Sequence, residues 1–269
     1  MLYIGLDIGG TKIRGVLFDT VKNKILDKFI ILTPQSKKEF LLELKNRVEK
    51  LMKQKNMKGI GLGLPGIVNY TTGVLVKAHN LPFLDGWNVK KFFEEFKTPV
   101  LCDNDSQCFL RAEFYLGVAR GYKNIVAMTV GTGIGGGVII DGEFYNGRNN
   151  SAGEFGHMIF QILNSKSEIL NKRTGIKTFE ELGAKKAFLK YGDRSEVIGI
   201  GVANLINSFN PDIVVLGGGG VINKKVKLAT VKSTAKKYIM SSQAKNTPIV
   251  KGKLGDLAQA IGAALLFKY

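Results

Sequence analysis

Residues 2–19 read LYIGLDIGGTKIRGVLFD. Two apolar, strand-like runs, Leu2–Ile8 and Ile13–Asp19, flank Gly9-Gly10. A third run, Lys24–Leu32, follows a turn at Val21-Lys22-Asn23, so the chain opens as an antiparallel meander. The first turn carries unusual chemistry. Gly9 and Gly10 let backbone approach a ligand, and their N–H groups can point at phosphate oxygens. Thr11 adds a hydroxyl, Lys12 adds a positive charge, and Asp7 at the strand end can hold Mg²⁺ through water. A plain hairpin turn needs none of these three, so phosphate binding is the better reading.

An amphipathic helix at about Ser36–Lys55 follows, with Phe40, Leu41, Leu44, Val48 and Leu51 on one face. A short strand, Gly59–Leu64, ends at Pro65-Gly66, and Ile67–Tyr70 and Val74–Lys77 form a hairpin around Thr71-Thr72-Gly73. Val89–Phe96 reads as helix, Pro99–Cys102 as strand and Ser106–Leu116 as helix. The scheme then recurs. Asn124–Val130 and Gly135–Asp141 are strands around a glycine turn, helices follow at Phe179–Lys190 and Ser195–Asn210, and Ile213–Leu216 is a buried strand. Asn223–Met240 and Asp256–Phe267 close the chain as helices. Strands first and helices after, twice, imply two α/β domains of similar design with a boundary near residue 115.

The chain has 269 residues, 45% hydrophobic and 23% charged, as in an ordinary globular protein. No apolar run is long enough to span a bilayer, and the N-terminus does not read as a signal peptide. Two cysteines, Cys102 and Cys108, fit a cytoplasmic protein with free, buried thiols. Lys plus Arg exceeds Asp plus Glu by 39 to 22, a net charge of +17. The lysines are spread over helices and arginines are few, which favours solvated charge that aids capture of an anionic nucleotide over nucleic-acid binding.

Three further segments carry chemistry. Gly131-Thr132-Gly133-Ile134-Gly135-Gly136-Gly137 contains the G-x-G-x-x-G spacing, as does Gly61–Gly66. A dinucleotide fingerprint needs a helix after the glycines, and here a strand and a hairpin follow. Two glycine turns in two domains can instead clamp a nucleotide's phosphates. Asp103-Asn104-Asp105 lies between a strand and a helix, and reads equally as a site at a strand end or as a helix cap. Gly153-Glu154-Phe155-Gly156-His157 places an acid and a histidine three apart. They suit sugar hydroxyls, but taken alone they favour a core histidine tied to a carboxylate. His79, the other histidine, reads as structural. Asn210–Gly220 is a strand feeding four glycines before a helix, a turn against which adenosine can lie.

Together and in this order, DIGGTK (7–12), GLGLPG (61–66), DND (103–105), GTGIGGG (131–137), AGEFGH (152–157), PDIVVLGGG (211–219) and GDLAQAIGAA (255–264) resemble the ROK family of sugar kinases, within the hexokinase–actin superfamily. The resemblance implies two actin-like (ribonuclease H-like) α/β domains with a cleft between them: residues 1–115, joined by the C-terminal helix 256–269, and residues 116–255. It implies phosphoryl transfer from ATP to a hexose hydroxyl, with glucose 6-OH the first choice and N-acetylmannosamine or N-acetylglucosamine the second. By resemblance, Asp7, Gly9, Gly10, Thr11 and Lys12 face the phosphates and Mg²⁺. Gly131, Thr132, Gly133, Gly135 and Gly136 form the second phosphate loop, and Gly217, Gly218 and Gly219 adjoin adenosine. Asn104, Glu154, His157 and Glu180, with the adjacent Glu181 as the alternative to Glu180, hold the sugar, and Asp105 binds it and is the base. Many members carry zinc-binding cysteines after the GH. Here Asn171, Arg173 and Thr178 stand at those positions, so no zinc is expected. The resemblance also implies a homodimer. It leaves a non-catalytic sugar-binding regulator as the alternative. The family's repressors have a DNA-binding domain before the DxGGT segment, for which a start at residue 7 leaves no room. No nucleic acid or membrane partner is expected.

Overall fold

The computed structural model describes residues 1–53, 56–69, 71–78, 80–162 and 176–268. His79, Asn171 and Arg173, read above from the sequence, lie outside these residues. The chain divides into two compact units, Met1–Arg120 with Lys253–Tyr269, and Gly121–Gly252.

The first unit opens with the meander. Strands β1 (Leu2–Ile8), β2 (Lys12–Asp19) and β3 (Lys24–Leu32) pair antiparallel in sequence. Helix α1 (Lys37–Met52) follows; its cap Ser36 accepts from the Glu39 N–H at 3.3 Å, and it buries Phe40, Leu44, Val48 and Leu51. Strand β4 (Met57–Leu64) lies parallel to β1. A small sheet of β5 (Ile67–Asn69), β6 (Val74–Lys77) and β7 (Trp87–Asn88) leads into the short helix α2 (Val89–Phe93). Strand β8 (Val100–Asn104) completes the main sheet, ordered β3-β2-β1-β4-β8, and helix α3 (Asp105–Leu116) follows without a loop. Strands β1 and β4 are buried on both faces, as central strands with parallel neighbours are.

One face of this sheet receives α1. The C-terminal helix Ala258–Ala264 covers the other at the glycines of β1 and β4. A β-carbon on Gly5 would stand 2.7 Å from the Ala264 nitrogen, and one on Gly61 would stand 2.6 Å from the Ala263 carbonyl carbon. Glycine there lets helix backbone lie directly on strand backbone. The buried Glu113 of α3 ties the returning segment, accepting from the N–H groups of Val118 (2.9 Å) and Leu254 (3.0 Å).

The second unit repeats the scheme. Strands β9 (Ile125–Val130), β10 (Ile134–Ile140) and β11 (Glu143–Phe144) form an antiparallel meander. A hairpin of β12 (Ile159–Ile162) and β13 (Ile176–Thr178) precedes helices α4 (Phe179–Gly183), α5 (Lys185–Tyr191) and α6 (Ser195–Phe209). Strand β14 (Ile213–Gly217), the single turn α7 (Gly219–Ile222), helix α8 (Leu228–Tyr238) and strand β15 (Ile249–Lys251) complete it. The sheet order β11-β10-β9-β14-β15 has the same strand senses as the first, with β14 parallel to β9 and β15. Each unit is therefore a five-stranded α/β domain of the actin-like design.

Among the boundaries that differ from expectation, such as the C-terminal helix at Ala258–Ala264 in place of Asp256–Phe267, three matter for the site. Strand β8 runs on to Asn104 and the helix begins at Asp105, so the Asp-Asn-Asp trio straddles a direct strand-to-helix junction. The helix expected over 179–190 breaks at Ala184, which is extended (φ −85°, ψ 179°), because the Lys185 N–H leaves the helix to bond the Gly131 carbonyl at 3.0 Å. The helix expected from Asn223 starts at Leu228, since Lys224 is left-handed (φ 57°) and the Val226 N–H turns back to the Gly220 carbonyl at 3.0 Å. Among the described residues, no helix is long and apolar enough to cross a membrane.

Candidate phosphate and acceptor sites

Asp7 stands next to last in β1 as one of the few buried acids, 2% exposed. The hairpin register sets Arg14 directly opposite it. Arg14 Nη1 donates to Asp7 Oδ2 at 3.0 Å, and Nη2 donates to Asp256 Oδ1 at 2.8 Å. Burial pushes the Asp7 carboxyl up to about 6, against the opposing pull of Arg14. Burial also lowers the Arg14 pKa, but its bonds to Asp256 and Asp7 outweigh this and leave it raised. The turn is held by the Gly9 N–H on the Lys12 carbonyl (3.0 Å), the Thr33 hydroxyl on the Gly9 carbonyl (2.6 Å) and the Thr33 N–H on the Thr11 carbonyl (3.1 Å). Gly10 lies against Asn80, where a β-carbon would approach the Asn80 β-carbon to 2.9 Å. Thr11 is exposed, and Lys12 half-buried.

The donor set suits a hard cation held largely through water. Asp7 supplies one carboxylate whose Oδ1 lies outside the pair with Arg14, and Thr11 supplies a hydroxyl on the same turn. Among the described residues, no three His, Cys, Asp or Glu side chains are grouped to hold a metal by themselves.

At the end of β8 each member of the trio has its own task. Asp103 is buried; Oδ1 accepts from the Asn104 N–H (2.8 Å) and Oδ2 from Arg111 Nη2 (3.1 Å). Asn104 caps α3, its Oδ1 accepting from the Ser106 N–H at 2.9 Å, while its Nδ2 donates to the Gly66 carbonyl at 3.4 Å. The capping alternative is thus realised, at Asn104. Asp105 is the first helical residue, half-buried, with the Ser106 hydroxyl donating to its Oδ1 at 3.2 Å. Cys102 and Cys108 nearby are buried free thiols, and burial pushes both up.

In the second unit the turn between β9 and β10 is fastened at three points. The Gly131 N–H bonds the Gly133 carbonyl (2.8 Å), the Lys185 N–H bonds the Gly131 carbonyl (3.0 Å), and the Ile134 N–H bonds Glu180 Oε2 (2.7 Å). The glycines here divide by cause. A β-carbon on Gly133 would stand 3.2 Å from the Glu180 carboxyl carbon, and one on Gly136 would run into the Phe155 ring. Past β14, Gly218 is left-handed (φ 83°) and leaves no room against Val130, whose nitrogen a β-carbon would approach to 2.8 Å; Gly220 would meet the Val130 carbonyl oxygen at 3.0 Å. Gly131 and Gly219 have no such reason. A β-carbon on Gly131 would meet nothing nearer than the Gly219 nitrogen at 3.9 Å. Two glycine turns therefore adjoin as bare backbone beside the exposed Thr132. Gly218 and Gly220 both answer to Val130, so this turn uses two of its glycines for packing alone.

Glu180 and Glu181 are told apart by the start of α4. Thr178 caps it, and Glu181 closes a capping box by accepting from the Thr178 N–H at 2.8 Å. That backbone bond lowers the Glu181 pKa. Glu180 turns the other way, toward the glycine turn and Gly156, where a β-carbon would stand 3.3 Å from Oε2. His157 is exposed in the single turn Phe155–His157, with Nε2 3.7 Å from Glu154 Oε2. The reading of His157 as a core histidine is thereby overturned: Phe155 fills the buried position of this turn. Sequence reasoning missed Arg14, although the antiparallel hairpin it expected pairs residue 14 with Asp7.

The family model described as "ROK family" matches residues 3–173 and 162–269, and the chain belongs to that family. The N-acetylgalactosamine kinase AgaK of Shewanella sp. (strain ANA-3) is 32% identical over 304 residues, covering 98% of this chain and 96% of the relative. A putative xylose repressor of Caldicellulosiruptor sp. (strain Rt8B.4) is 28% identical, covering 98% of this chain and 77% of the relative. The fold matches that of a ROK family glucokinase from Streptomyces griseus, solved in complex with glucose and AMPPNP, with a TM-score of 0.84, 22% identity and 99% of each chain covered.

Proposed function

We propose that the chain is an ATP-dependent sugar kinase that transfers the γ-phosphoryl group to a hexose hydroxyl, with glucose 6-OH as the first acceptor and N-acetylmannosamine or N-acetylglucosamine as the next. The observation that carries this is the bare backbone where Gly131 meets Gly219. It accommodates a nucleotide at two glycine positions that no packing contact requires. In this reading Asp7, Gly9, Gly10, Thr11 and Lys12 contact the phosphates. Gly131, Thr132, Gly133, Gly135 and Gly136 form the second phosphate loop, and Gly217, Gly218 and Gly219 lie near adenosine. Asn104, Asp105, Glu154, His157 and Glu180 hold the sugar.

Asp105 acts as general base. As the sugar oxygen forms its bond to the γ-phosphorus, the hydroxyl proton passes to the Asp105 carboxylate and ADP leaves with the bridging oxygen. Such help is typically worth about 10²–10⁴-fold in rate, and the rest of catalysis is positioning and charge stabilisation. Mg²⁺, when bound with the nucleotide, supplies charge neutralisation at the phosphates; Asp7, through water, is the residue to hold it. The enzyme acts in the cytoplasm as a homodimer, which light scattering checks.

The test is ADP release with Mg-ATP across a panel of hexoses and N-acylhexosamines. Sugar-dependent release is expected, and the Asp105→Asn variant should lose turnover while still binding sugar. Normal turnover in that variant would refute the assignment of the base. The likeness to a repressor supports a second reading, a non-catalytic sugar-binding regulator. Sugar binding by calorimetry with no release from any acceptor would decide for it.

A further inference from the structure

We infer that Arg14 is a positioning residue of the donor site: its guanidinium, shared between Asp7 and Asp256, holds the Asp7 carboxylate in place for the metal-bound phosphates of the nucleotide. This rests on the kinase reading of the glycine turn. Residues directly opposite in an antiparallel pair present side chains on one face, and Asp7 and Arg14 are such a pair. The guanidinium does not grip one carboxylate with both nitrogens. Nη1 goes to Asp7 at 3.0 Å and Nη2 to Asp256 at 2.8 Å, so its plane is fixed from two segments far apart in sequence. A lysine's point charge offers no such fork.

The surroundings support positioning over direct contact with ligand. The Arg14 side chain is 16% exposed, and a β-carbon on Gly9 would stand 3.8 Å from Nη1, so the guanidinium lies beneath the turn. Its Nε is buried without a partner among the described residues. A buried ion pair with an unsatisfied nitrogen is a poor device for stability alone. Charge points the same way. One guanidinium between two carboxylates leaves one net negative charge, available to a cation. Asp256 is the more exposed of the two acids, 36% against 3%, and takes the terminal nitrogen of Arg14 that Asp7 does not.

Isothermal calorimetry on the full chain, with Mg-ADP, metal-free ADP and sugar titrated separately, tests this. Arg14→Ala should weaken Mg-ADP binding about tenfold or more, weaken metal-free ADP less, and leave sugar affinity within about twofold. Asp256→Asn should act in the same direction to a smaller extent, and Arg14→Lys should restore part of the loss. In steady state the KM for Mg-ATP should rise while the sugar KM holds. Unchanged Mg-ADP binding in Arg14→Ala would overturn the inference, as would equal loss of sugar and nucleotide. If Arg14→Ala does not fold, Asp256→Asn decides: wild-type Mg-ADP affinity in it overturns the inference. Wild-type protein that binds no nucleotide would instead sink the kinase reading, an outcome read before any variant is made.

Discussion

Replacing Gly61 by alanine separates a glycine that serves packing from one that serves a ligand. The added β-carbon would stand 2.6 Å from the Ala263 carbonyl carbon and closer still to its oxygen, where ordinary contact begins at 3.4 Å. The neighbour is helix backbone, so no side chain can swing aside. Strand and C-terminal helix must open by roughly 1.5 Å, a distance set by that oxygen, along a contact that Gly5 also makes. Overpacking costs about 1–3 kcal/mol, and a backbone obstacle puts this case at the upper end. At about 2–4 °C per kcal/mol, Gly61→Ala should melt roughly 6–12 °C below wild type. Gly131→Ala is the counterpart. Its β-carbon meets only the Gly219 nitrogen at 3.9 Å, so the melting temperature should fall by no more than about 2 °C. Mg-ADP affinity should drop about tenfold or more, because the nucleotide loses its approach to bare backbone. Melting curves by circular dichroism and nucleotide titrations read both variants. The reasoning is refuted if Gly61→Ala melts with wild type, or if Gly131→Ala loses stability in place of affinity.

Two other expectations follow from particular carboxylates. Glu180→Gln should lower kcat/KM for the sugar about tenfold or more, since it weakens the acceptor that fastens the Ile134 N–H, while Glu181→Gln should stay within about twofold, because Glu181 is spent on the α4 cap; steady-state kinetics with the best acceptor will distinguish them. Asp193 is held down to about 2 by the Ser195 hydroxyl, the Ser195 N–H and Lys227, below its ordinary value of 3.8. Its folded-state pKa is depressed, so its contribution is present above about pH 4 and lost as pH falls through the interval down to 2. The melting temperature of Asp193→Asn should therefore vary less steeply than wild type across that interval.

The meanders were legible because β1 and β9 are largely apolar runs, interrupted only by Asp7 and Thr129 near their ends, and each is followed by glycine. The motif residues were legible for a related reason: phosphate and hydroxyl chemistry demands Gly, Thr, Asp and Asn at turns. Helix ends were not. Ala184 is an ordinary helix former, and it is extended only because Lys185 must reach Gly131, some fifty residues earlier in the chain. Lys224 likewise gives no local sign of its left-handed backbone, which follows from the return of Val226 to Gly220. The exposure of His157 depends on Phe155 taking the interior place beside Gly136. Arg14 shows the limit differently. Its bond to Asp7 follows from register alone, but its second bond, to Asp256, joins residues 242 apart in the chain.

The C-terminal helix on Gly5 and Gly61 also sets an order of events during synthesis. Residues 121–252 form the second unit from one contiguous stretch, whereas the first unit needs both its opening 120 residues and the helix at 258–264. At about 5–20 residues per second, on the order of ten seconds or more separate the emergence of those parts from the ribosome. Throughout that interval Gly5 and Gly61 have no helix backbone against them, although α3 already lies on the same face at Gly63. The unit translated first is therefore completed last, and a nascent chain of which residues 1–252 alone have emerged has a finished second unit and an unfinished first one.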